Sequence, residues 1–316
     1  IPHYLSAYAG GVAPAMQELW PILCGADPVG PEALMAKANA WLIGHEYAKS
    51  ALDIALWDIM GKVANMPLYT LLGGWRQADL PLYHSITCIA PDEMVKIARE
   101  AQAKGITQFQ VKLGADNNWE ADVARLRMVR EEVGSGPLVY GDWNCGATSL
   151  DAIRVGRAVQ EFDIMLEQPC ATMEECKRVK DATHLPMKMD ENAHDTSSML
   201  KAYQLGVMDA VAIKLSKFGG LSASRTARDL CLHLGARMCI EDTWGSDITT
   251  AALSHLGAST DPKRVMNVCD LSGYVAPHIA PDGPRRENGR LAPPKGAGLG
   301  IAPDLDVLGT PALELE

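Results

Sequence analysis

Five polar residues stand at the ends of short β-rich runs: Lys112, Asp142, Glu167, Asp190 and Lys214. Successive gaps of 30, 25, 23 and 24 residues separate them, each close to the length of one strand–helix unit. Taken singly, an Asp after a strand is ordinarily a cap or turn former, and a Lys is a solvated charge. Five in step suggest more. Three carboxylates brought together repel one another unless a cation neutralises them. Hard oxygen donors in a partly open site suit Mg²⁺. A lysine with an ordinary pKa of about 10.4 is a poor base at neutral pH. A nearby dication and a second ammonium lower that value, so a neutral amine becomes available. The set could therefore remove a proton α to a carboxylate. Lys112 and Lys214 would be the acid/base pair, with Asp142, Glu167 and Asp190 holding Mg²⁺.

Such a set must be positioned by alternating strands and helices. β-rich runs occur at 82–85, 109–113, 138–142, 164–167, 187–190, 210–214, 238–241 and 265–268. Between them lie helical patterns. One is Met94, Ile97, Ala98 and Ala101 before Gly105; another is Val123, Leu126, Val129 and Val133 before Gly134. Each shows helix-face spacing with a glycine stop. Eight βα units predict an α/β fold whose parallel strands close into a barrel, with the five side chains at its C-terminal mouth. The segment Ser50–Val63 is apolar on nearly every face and predicts a buried helix. The tail from about Arg286 is rich in Pro and Gly without a clear period, and reads as an irregular wrap. The expected division is a partial capping domain over 1–76, the barrel over 77–285 and a C-terminal segment over 286–316 that packs on the cap.

The bulk composition fits one large domain plus a smaller one: 316 residues, 47% hydrophobic and 22% charged. The net charge of −10 comes without any Lys/Arg block, so nucleic acid is not an expected partner. No apolar stretch approaches the roughly 18 residues of a membrane helix, so no membrane partner is expected. Eight cysteines without a C-x-x-C pair point away from zinc and toward reduced thiols, hence a cytoplasmic setting. The N-terminus Ile1-Pro2-His3-Tyr4 shows no basic or apolar leader region.

The sequence resembles the enolase superfamily, in its mandelate-racemase and muconate-lactonizing-enzyme-like group. The resemblance rests on Ser50 to Asp58 (SALDIALWD), Val111-Lys112-Leu113-Gly114, Gly141-Asp142-Trp143-Asn144, Leu166-Glu167-Gln168-Pro169, Met189-Asp190-Glu191 and Ile213-Lys214 through Gly219-Gly220. It spans essentially the whole chain. It implies the same metal ligands, Asp142, Glu167 and Asp190, and the same two lysines, acting through an enediolate. A Lys or His base beside Mg²⁺ is the known pattern of such sites. It also implies a homo-oligomer, and a capping domain that begins upstream of Ile1 with a loop that closes over substrate. One departure concerns the second strand. The group usually carries Lys-x-Lys there, whereas this chain has Gln110-Val111-Lys112, so Lys112 lacks a neighbouring cation. Lys217 fits a structural position.

Within the superfamily, Glu241 to Ile248, Glu167 to Cys170, Asn288 to Leu291 and Gly298-Leu299-Gly300 resemble cis-3-hydroxy-L-proline dehydratases and hydroxyproline betaine 2-epimerases. The expected partner is thus a small carboxylate substrate, with dehydration of a hydroxyproline ahead of epimerisation of a proline betaine or dehydration of an acid sugar. Trp244 and Trp143 are candidates to lie over a cationic nitrogen. Asp242 could pair with an ammonium, and Asn144 and His84 complete the substrate-binding set. A barrel that only binds a ligand is the alternative from another class. An intact five-residue set argues against it.

Overall fold

The computed structural model describes residues 5–243, 245–274 and 276–315. Eight parallel strands form one sheet in chain order: β1 (His84–Ile86), β2 (Gln108–Lys112), β3 (Leu138–Asp142), β4 (Ile164–Glu167), β5 (Met187–Met189), β6 (Ala210–Lys214), β7 (Arg237–Glu241) and β8 (Val265–Val268). A parallel bridge between Leu82 and Val268 joins β8 to the residues just before β1, closing the ring. Strands covered on both faces read as nearly continuous buried runs. In β4 and β6, Ile-Met-Leu-Glu and Ala-Val-Ala-Ile-Lys, every residue is buried.

The helices between strands follow the expected spacing. Pro91–Ala103 buries Met94, Ala98 and Ala101, and Trp119–Val133 buries Val123, Leu126, Val129 and Val133. Asn118 caps the second helix by accepting from the backbone N–H of Glu120 and Ala121, filling donors that a helix start leaves open. Gly141 allows β3 to approach that helix: a Cβ there would lie 2.7 Å from Leu113 and 3.1 Å from Leu126.

Three expectations need correcting. The first strand begins at His84, two residues later than expected. The helix around Ser50–Val63 runs Glu46–Ala64 and is not buried all round. Ala48, Asp53, Ile54, Trp57 and Gly61 face the core, while Ala51, Ala55, Ile59 and Val63 repeat every fourth residue on the open side. That repeat is one stripe of a helix surface, so a wholly apolar helix here has one covered and one uncovered face. The tail is also more ordered than its composition suggested. Arg285–Glu287 and Arg290–Ala292 form an antiparallel hairpin that adds to Leu80–Pro81. Its loop is Asn288-Gly289, with φ of 50° and 68°, the left-handed pair that a two-residue hairpin turn needs.

The tail then returns to the Glu46–Ala64 helix. Gly298 packs so closely on Gly61 that a Cβ at Gly61 would lie 2.6 Å from it. Asp58 accepts from the Leu299 N–H at 2.8 Å. The same helix grips the turn that follows β6. Asp53, fully buried, accepts from Ser222 N at 2.8 Å and Ser222 Oγ at 2.6 Å. Gly220 there has φ 117°, and a Cβ would strike Asp53 at 2.4 Å, so glycine is required.

Candidate active site

Strand register lines up the polar ends. Lys112 pairs with Asp142, Asp142 with Glu167, and Lys214 with Glu241 across neighbouring strands. Asp190 immediately follows β5. Lys112 and Lys214 thus bound an arc of five adjacent strands, with the three carboxylates between them, at the C-terminal end where barrel sites form. Asp142, Glu167 and Asp190 are all buried.

Each carboxylate is met by a cation or an amide. Lys112 Nζ donates to Asp142 and, at 2.8 Å, to Asn144 Oδ1. Gln110 Nε2 donates to Asp142 at 3.0 Å and to Glu167 at 2.9 Å. Lys214 Nζ donates to Asp190 Oδ2 at 2.5 Å. Lys217 Nζ donates to Asp190 Oδ1 at 2.8 Å and to the Asp190 and Ala212 carbonyls. Deeper in the barrel, Lys188 is fully buried and donates to Glu241 Oε1 at 2.9 Å, and Tyr83 donates to Glu241 Oε2 at 3.0 Å. Gln108, Gln110, Lys188, Glu241 and Asn267 make the barrel interior polar where branched aliphatics commonly fill it.

The electrostatics follow from burial and neighbours. Burial, then Asp142, pushes Glu167 up to about 8, and burial, then Asp190, pushes Glu191 up to about 7. Burial alone would raise Asp190, but Lys214 and Lys217 outweigh it and hold this carboxyl well below the usual range. Burial likewise draws the Lys112 ammonium down, and Asp142 and Glu167 overcome it and leave the group above its ordinary value. Without a metal, then, the expected lowering of Lys112 is absent, because its carboxylate neighbours stabilise the charge.

Among the described residues, no three His, Cys, Asp or Glu side chains stand in a ready metal-binding cluster. Their ammonium and amide partners account for that. The donor chemistry nonetheless suits a dication. Carboxyl groups from neighbouring strand ends (Asp142, Glu167, Asp190 and Glu191) are gathered beside Lys112, Lys214 and Lys217. Glu191 Oε2 is a buried oxygen with no hydrogen-bond donor, and Glu167 Oε1 has only the Lys188 ammonium beside it, at 2.9 Å. A buried acceptor left open suits an ion or a water.

The substrate-binding candidates divide. Asn144 is at the mouth, between Lys112 and Glu191, to which its Nδ2 donates at 3.0 Å. Trp143 lies elsewhere: its Nε1 donates to Asp122 at 3.1 Å and its ring packs on Gly114, so it braces a loop and does not cover a substrate nitrogen. Asp242 is engaged by Ser216 N at 3.0 Å, Ser216 Oγ and Thr243 N, and so shapes the turn after Lys214. His84 stands at the start of β1, paired with Phe109 and stacked on Tyr274, whose hydroxyl meets its Nδ1 at 3.0 Å. Trp244 lies outside the described residues. Glu241 ends its strand as the five do, and that rule alone identifies it. Lys188, between two methionines in a buried strand, is a charge at a core position and equally readable.

Residues 93–307 match the family model described as enolase C-terminal domain-like, and residues 6–73 that of the mandelate racemase/muconate lactonizing enzyme N-terminal domain. The chain belongs to the enolase superfamily. A cis-3-hydroxy-L-proline dehydratase of Roseibium aggregatum is 42% identical over 308 residues, 98% of this chain and 83% of that protein. An N-succinyl-L-Arg/Lys racemase of Bacillus cereus is 29% identical, over 81% of this chain and 69% of that protein. A crystal structure of an enolase-superfamily member from Roseovarius nubinhibens, complexed with magnesium, superposes with a TM-score of 0.92 at 34% identity, covering 98% of this chain and 84% of that one. This enolase-superfamily chain is accordingly an enzyme of the lyase or isomerase kind. No helix among its described residues is long and apolar enough to cross a membrane.

Proposed function

We propose that this enzyme abstracts the α-proton of a small carboxylate substrate between Lys112 and Lys214, and that the substrate is cis-3-hydroxy-L-proline or a related proline derivative, which is dehydrated. The observation that carries the reaction is the arc itself: two lysines on opposite sides of three buried carboxylates. The 42% identical dehydratase supports the substrate class. Asp142, Glu167 and Asp190 would hold Mg²⁺, which supplies charge to bind the substrate carboxylate and stabilise the negative charge that develops on it.

The chain's own groups account for the proton movements. One lysine, as the free amine, accepts the α-proton. In a dehydration the β-hydroxyl then leaves, taking a proton from an ammonium. In an epimerisation the opposite lysine returns a proton to the other face. Epimerisation is the second reading, favoured by the presence of two lysines and by the racemase relative. Gln110 stands where a cation is usual. By donating to Asp142 and Glu167 together it holds both carboxylates in register without adding charge.

The test is proton–deuterium exchange at Cα, followed by NMR in D₂O with Mg²⁺ over a panel of proline derivatives and acid sugars. Exchange on a 3-hydroxyproline with loss of the hydroxyl is expected. Mg²⁺ binding without exchange on any carboxylate overturns the reading in favour of a binding protein.

A further inference from the structure

A cavity of about 560 Å³ lies between the start of the Glu46–Ala64 helix and the barrel mouth, which it reaches at Glu191, Ser216 and Lys217. Lys49 lines it. This side chain is 2% exposed, yet among the described residues its ammonium has neither a hydrogen bond nor an ion pair. Every other lysine of the mouth is spoken for: Lys112 by Asp142 and Asn144, Lys188 by Glu167 and Glu241, Lys214 and Lys217 by Asp190. Glu46, one turn earlier on the same helix, forms no ion pair with Lys49. The stem of Lys49 is thus buried while its ammonium opens on the cavity with no protein acceptor.

We propose that Lys49 is a carboxylate-binding residue of an outer subsite, holding the substrate's carboxylate as it enters between the capping helix and the barrel. The subsite rests on the reading of a carboxylate substrate given above, and adds a second point of recognition outside the metal centre. The protein as a whole is acidic, at −10, so an approaching anion meets repulsion. An unpaired cation within the approach offsets this locally. Burial lowers the Lys49 pKa and Glu46 opposes it; a bound carboxylate would restore the charged form. The helix that carries Lys49 is fixed on the turn after Lys214 by Asp53 and Trp57, both bonded to Ser222. The helix that carries the ammonium is therefore held in place relative to the reaction centre.

The test uses the full chain and trifluoroacetate as the carboxylate probe, followed by ¹⁹F line broadening with and without Mg²⁺. Loss of one charge-assisted hydrogen bond corresponds to about tenfold or more in affinity. Saturable binding should therefore weaken by about that factor in Lys49→Met and persist in Lys49→Arg. Removing an unpaired buried charge should leave the melting temperature of Lys49→Met no lower than wild type, and Lys49→Gln serves if that variant fails to fold. With a turned-over substrate, KM should rise and kcat should stay within a factor of about two, as for lost ground-state binding. Unchanged trifluoroacetate binding in Lys49→Met and Lys49→Gln overturns the proposal, as does displacement by phosphate but not by succinate. α-Proton exchange with no effect of Lys49 on binding removes the subsite and leaves the reaction. Binding that depends on Lys49, without exchange on any carboxylate, removes the reaction and leaves the anion site.

Discussion

Lys188 Nζ stands 2.9 Å from Glu167 Oε1, and neither side chain is reached by solvent. The ammonium is out of line for a hydrogen bond to that oxygen, which has no donor, and it donates to Glu241 instead. One buried cation thus serves a candidate metal ligand on β4 and a carboxylate on β7.

Removing that cation should be severe. Lys188→Met leaves Glu167 and Glu241 buried without their shared counter-ion, and breaking a buried pair from one side costs about 3–5 kcal/mol. Urea unfolding of the metal-free protein measures it. Adding Glu241→Gln to the same chain should recover part of the loss, since one of the two stranded charges is then gone. A loss below about 1 kcal/mol would show that the two carboxylates do not depend on Lys188.

Glu167 should matter to the metal more than to the fold. In Glu167→Gln, Mg²⁺ affinity measured by calorimetry should fall at least as much as the roughly 10- to 100-fold typical of losing an outer-shell partner. EDTA should abolish exchange activity and Mg²⁺ restore it. Full affinity in the variant would place the metal elsewhere.

The two lysines should not be interchangeable. They approach from opposite ends of the strand arc, so Lys112→Ala should abolish exchange from one configuration at Cα and Lys214→Ala from the other. A positioned base contributes about 10² to 10⁴ in rate. Wild-type exchange of both configurations in either single variant contradicts the two-base reading. If only one lysine matters and the β-hydroxyl is lost, the chain is a dehydratase.

His255 predicts an acid limit to stability. Its ring is buried: Nδ1 accepts from the Tyr69 N–H at 3.3 Å and Nε2 meets the Leu299 carbonyl at 3.0 Å. Burial pulls its pKa down to about 4, below the ordinary 6.5. The folded state therefore favours the neutral ring. The stabilisation is complete above about pH 6.5 and is lost as pH falls from there toward 4. The two values imply about 3 kcal/mol over that window. Denaturant melts from pH 7 to 4 should show this slope, and His255→Gln should flatten it. An unchanged slope in the variant would assign the acid loss to other groups.

Periodicity and strand ends were enough to place all eight barrel strands within two residues, and to bring five named side chains to one end. That works because a parallel barrel repeats one unit, so spacing along the chain becomes proximity at the mouth. The hairpin at Asn288-Gly289 was readable too, from its turn dipeptide, though the richness of the tail in Pro and Gly obscured it. Lys188 and Glu241, charges on core strands, carried the same signal in their residue type and were not among the five.

What only the tertiary structure decided is which polar side chains are already satisfied. Trp143 and Asp242 follow strand ends as Asn144 does, yet Asp122 holds the first and Ser216 the second. His84 opens β1 level with Phe109 and is taken up by Tyr274. Lys49 sits in a helix whose sequence reads as apolar packing, and its lack of a partner becomes visible only once the barrel mouth is set against it. Spacing specifies which residues come near each other. Hydrogen-bond satisfaction depends on side-chain direction to within a few tenths of an ångström, and that is settled by the packing of elements far apart in the chain.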